Sequence, residues 1–96
     1  MNPKSELLAS LLANTRERQR LTLQLLALKD PAERESANRQ HRALVGQMSA
    51  AFDRLEEMKP AAAERMAIME ALNAATQSRT AEERVIALVM KGRTPS

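Results

Sequence analysis

Between Ala37 and Met58 the apolar side chains return at intervals of four and three residues. Ala37, His41, Leu44, Met48, Ala51, Leu55 and Met58 form one stripe, widened by Val45 and Phe52. That spacing predicts a helix with a single buried face, close to the seven-residue repeat of coiled coils. The preceding segment is apolar only at its ends. Leu7, Leu8, Leu11 and Leu12 make one patch and Leu21, Leu25, Leu26 and Leu28 a second, while Asn14 to Arg20 between them is wholly polar. A helix polar all round for two turns is either exposed there or meets a polar partner. Further on, Met66, Ile68, Met69 and Leu72 are apolar at helical spacing, and Val85, Ile86, Leu88, Val89 and Met90 are almost continuously so.

Punctuation places the boundaries. Asn2-Pro3 and Asp30-Pro31 each put a capping side chain before a Pro at the first helical position, where a missing N–H costs nothing. Glu33 stands where a capping box has its acid. Lys59-Pro60 ends the second helix, because the residue before a Pro is pushed out of the α region. Thr80-Ala81-Glu82-Glu83 reads as another capping box, and Lys91-Gly92 as a helix stop. The expectation is therefore an all-α chain in one domain, residues 1–92, with a disordered tail at 93–96. A long antiparallel helical hairpin (about 3–29 and 31–58) would be followed by two short helices (about 60–76 and 80–91).

Composition supports helix throughout. Ala, Leu, Arg, Glu, Gln and Met predominate, against three Val, two Ile, one Phe and no Tyr or Trp. With no Cys there is no disulfide framework and no thiolate metal site. No apolar run approaches bilayer length, and a cytoplasmic protein without membrane contact is expected. A chain of 96 residues buries a modest core, so surplus apolar surface predicts a homo-oligomer, a dimer first.

Candidate chemistry is sparse. The single histidine, His41, lies on the apolar stripe, where a packing histidine bonded locally is expected. No carboxylate cluster accompanies it, so neither metal, cofactor nor catalysis is expected. The net charge of +3 comes from 15 basic and 12 acidic residues, 11 of the basic ones Arg. Arg16, Arg18 and Arg20 alternate on the first helix, with Arg34, Arg39 and Arg42 across the hairpin. Arg16, Arg20, Arg39 and Arg42 are the candidates for a patch binding nucleic acid or a nucleotide, although no aromatic residue interleaves them. Five of the six Met fall from residue 48 onward, and Met is an adaptable residue on surfaces that receive other proteins. Met66, Met69, Val89 and Met90 on the two short helices are the candidate partner-binding residues, and Gly46 is a candidate for close approach by a second helix.

The plan of a long hairpin followed by short helices resembles the small export chaperones of flagellar and type III secretion systems. Ala37-Asn38-Arg39-Gln40-His41-Arg42-Ala43-Leu44-Val45, with Phe52 further on, is similar to a helix of the conjugal-plasmid quorum-sensing antiactivators. Both resemblances imply a bacterial, phage or plasmid protein that escorts or sequesters another protein.

Overall fold

In the computed structural model, which describes residues 2–92, the chain forms three helices: α1 (Pro3–Ala27), α2 (Pro31–Glu57) and α3 (Ala62–Met90). The expected 93–96 tail lies outside the described residues. Two starts follow the punctuation. Asn2 Oδ1 accepts the Lys4 amide at 2.9 Å, and Asp30 Oδ1 accepts the Ala32 amide at 3.3 Å, each ahead of a Pro at the first helical position. α2 stops where Lys59 takes a left-handed φ of 50° before Pro60. α3 then begins at Ala61, whose amide donates to Glu64 Oε1 at 2.9 Å. Beyond its end at Met90 the chain turns at Gly92, whose φ of 76° suits a residue with no Cβ.

The division into two short terminal helices is corrected: residues 62–90 are one helix of 29 residues. Thr80 does not cap. Its hydroxyl donates to the Thr76 carbonyl at 2.9 Å, as a Thr within a helix does. Neither Gly nor Pro interrupts Gln77-Ser78-Arg79, and a break would leave several backbone groups unpaired. Continuity also keeps Ile68, Ala75, Ile86 and Val89 on one buried face. The likeness of plan to the export chaperones rested on those two short helices and goes with them.

Cross-helix contacts set α1 and α3 side by side in the same direction, with α2 running against both. Lys4 meets Glu64 and Arg18 meets Glu82, while Asn14 reaches the Leu44 carbonyl. The result is a rod of 46 × 23 × 17 Å. At 1.5 Å per residue α3 is roughly 43 Å long and spans the rod. Its apolar interior lies in two pieces. Leu11, Met48, Phe52, Leu55, Ile68 and Ala75 fill one half, and Leu25, Ala37, Ile86 and Val89 the other.

Gly46 is exposed, and a Cβ built on it would meet nothing within 4 Å. Within the chain no close approach requires this glycine. No helix among the described residues is long and apolar enough to cross a membrane.

Candidate functional site

Between the two apolar halves lies a layer of buried polar side chains: Asn14, Arg18 and Thr22 from α1, Asn38 and His41 from α2, and Glu82 from α3. The Arg18 side chain is 0% exposed. A charge taken so far from water is tolerated only when paired and fully hydrogen-bonded. Arg18 is both. Its Nη1 donates to Glu82 Oε1 at 2.9 Å, its Nε to Asn14 Oδ1 at 2.9 Å and its Nη2 to Thr15 Oγ1 at 3.1 Å. Glu82 Oε1 is also 2.8 Å from His41 Nε2, which donates to it, and Oε2 accepts from the Ser78 hydroxyl. Asn14 Nδ2 completes the layer by donating to the Leu44 carbonyl at 2.7 Å. Among the described residues no buried side-chain nitrogen or oxygen lacks a partner.

His41 is thus buried as expected, but its bond reaches across to another helix. The polar stretch Asn14–Arg20 meets a polar partner inside the protein at Arg18 and leaves Arg16, Gln19 and Arg20 exposed. Glu82, assigned to a cap, is instead the acceptor at the centre of the layer. A signal for it exists in the sequence. Leu11, Arg18 and Leu25 are seven apart, as are Leu55, Met48 and His41, and as are Ile68, Ala75, Glu82 and Val89. Each heptad row carries one polar residue, and the fold brings the three to one level.

The candidate patch arginines divide between two helices, Arg16 and Arg20 on α1 and Arg39 and Arg42 on α2. Arg20 closes on Glu17 and Gln24 of its own helix, and Arg39 lies 3.7 Å from Glu35. Arg16 is exposed on α1, whereas Arg42 lines the groove between α2 and α3 beside Glu35 and Glu83. Hydrogen bonding to Arg20 holds the Glu17 carboxyl below its usual range and raises Arg20 in return. At the foot of α3 the Glu64 carboxyl is likewise lowered, first by the Ala61 amide and then by Lys4.

The four candidate partner-binding residues separate too. Val89 is buried with Leu25 and Ala37, so it belongs to the core and not to the surface. Met90 lines the upper α2–α3 groove, three heptads or roughly 32 Å from Met69. Met66 and Met69 do stand together, 68% and 58% exposed, with Leu72 exposed one turn on. Leu12 of the first apolar patch and Leu23, which the sequence did not single out, are 53% and 68% exposed. Among the described residues no group of three His, Cys, Asp or Glu side chains converges as a metal site.

What the fold and site define is a three-helix rod with a buried polar layer and apolar strips left outside. No protein-family model, curated protein or solved structure matches the chain.

Proposed function

We propose that this is a non-enzymatic, protein-binding protein that sequesters or escorts a partner in a bacterial, phage or plasmid setting. The observation that carries the reading is the strip Met66–Met69–Leu72, left outside when the core is closed. Large apolar side chains held in water at successive turns of one helix suit the apolar face of another protein's helix or segment. Met adapts to varied contact shapes because its thioether chain is unbranched and flexible. The titratable groups of the interior, Arg18, His41 and Glu82, are committed to one another, which favours binding over catalysis.

The test compares the intact protein with a Met66→Gln/Met69→Gln/Leu72→Gln variant as bait for proteins from a bacterial lysate, each first checked for helicity. The expected result is a defined protein retained by the first, absent from the second and insensitive to added salt. Retention by both baits equally would refute the assignment of the strip. Recovery of nucleic acid that falls steeply with salt would instead favour phosphate binding by the arginines.

A further inference from the structure

The groove between α1 and α3 is bordered by two rows whose residues repeat at intervals of seven. On α1 the row is Leu12, Gln19 and Leu26; on α3 it is Glu70, Gln77 and Arg84. All six are exposed. The α1 row lies one residue beyond the buried row Leu11–Arg18–Leu25, on the side facing α3, where Leu12 lines a depression with Ala71 and Ala74. The α3 row flanks the same groove, because Glu70, Gln77 and Arg84 stand three or four residues from Ala74 and Ala81, which line it. Gln19 Nε2 donates to Ser78 Oγ at 3.4 Å, so Gln19 and Gln77 sit at one level of the rod.

Each row therefore has a glutamine at its centre, flanked at equal distances by residues that complement each other when the row is reversed. From this we propose that a second copy of the chain docks antiparallel on the α1–α3 face, about a two-fold axis crossing the rod near Gln19 and Gln77. In that arrangement Leu12 of one copy packs against Leu26 of the other. Glu70 meets Arg84 of the other copy, and the same contacts recur on the far side of the axis, as a two-fold interface requires. Among the described residues neither Glu70 nor Arg84 has an ion-pair partner within its own chain. A parallel arrangement would keep Glu70 and Arg84 at opposite ends of the interface.

Size agrees. One side of a rod 46 Å long and between 17 and 23 Å wide is roughly 800–1,000 Å², against about 800 Å² per partner in a stable interface. Leu23 borders the larger depression of this groove, about 520 Å³, shared with Val85 and Ala81. Its exposed side chain lies within the face to be covered.

The inference is independent of the Met66–Met69–Leu72 reading, since its readout is self-association. Sedimentation equilibrium at micromolar concentration should show a dimer. Glu70→Arg and Arg84→Glu should each weaken it by about tenfold or more, through two like-charge contacts per dimer. The double exchange Glu70→Arg/Arg84→Glu should restore the affinity. All six positions are exposed, so the fold should persist, and circular dichroism verifies it. As a second measurement on a chain that has no Cys, Gln19→Cys and Gln77→Cys should each join two copies through a short bis-maleimide, while Ser49→Cys on α2 should not. A monomer at these concentrations, or a dimer indifferent to the charge exchange and crosslinked only from α2, would overturn the proposal.

Discussion

The Arg18 guanidinium donates to the Glu82 carboxylate at 2.9 Å in the interior of the rod, joining residues 64 apart in sequence. The pair locks α1 to α3 at mid-length, and His41 ties α2 to the same carboxylate. A slip by one turn between α1 and α3 would leave a buried charge unpartnered, so the layer specifies register in a bundle whose apolar rows are otherwise similar. Removing one member exposes that dependence. Glu82→Gln is expected to destabilise the protein by about 3–5 kcal/mol in denaturant unfolding, because Arg18 keeps its charge and loses its counter-ion. Replacing Arg18, His41 and Glu82 together by Leu or Met should cost far less, and the comparison separates the pair's net worth from the cost of an orphaned ion.

Truncation after Gln77 tests the continuity of α3. It removes Glu82, Ile86 and Val89, which strips one apolar half of its third wall and leaves Arg18 unpaired. The truncated chain should lose cooperative thermal unfolding. A folded two-helix remnant melting like the intact protein would contradict the role assigned to the second half of α3.

Core and surface should respond differently to the same kind of change. Leu55 is fully buried, so Leu55→Ala is expected to cost about 2–5 kcal/mol, the sum of lost burial and the cavity left behind. Met69→Ala should lie within about 0.5 kcal/mol of the parent, since its side chain is already in water. Both values come from chemical denaturation with the slope held common.

Gly46→Ala should raise stability by about 1 kcal/mol. The residue sits inside α2, its replacement meets open space, and Ala restricts the unfolded chain where Gly does not. Thermal melts of the two proteins at equal concentration decide it.

The Glu64 carboxyl predicts a modest acid sensitivity. Its folded pKa is lowered by the Ala61 amide and Lys4, so its contribution is full above the unfolded value near 4.5 and is lost as pH falls through the lower folded value. Glu64→Gln should narrow the difference in melting temperature between neutral and acidic buffer. An unchanged pH profile would count against the capping role.

Helix content, the first two helix starts and the end of α3 follow from the chain alone, because Asn2-Pro3, Asp30-Pro31 and Lys91-Gly92 act on their own neighbours. The buried face of α2 was legible for a related reason: Ala37, His41, Met48 and Leu55 repeat with the helix period, and burial follows the period. Thr80-Ala81-Glu82-Glu83 misleads because a capping signal is worth about 1 kcal/mol, less than the packing of Ile86 and Val89 that a continuous helix secures. Only the tertiary structure decides what the polar residues of the heptad rows do. A lone Arg18 or Glu82 is most cheaply placed in water; burial becomes tolerable when α1, α2 and α3 deliver a guanidinium, an imidazole and a carboxylate to one level. Likewise Leu12 and Leu26 look like core until Leu11, Leu21 and Leu25 fill the interior. Three helices offer α1 one inward strip, narrower than its run of leucines, and the remainder is left on the surface.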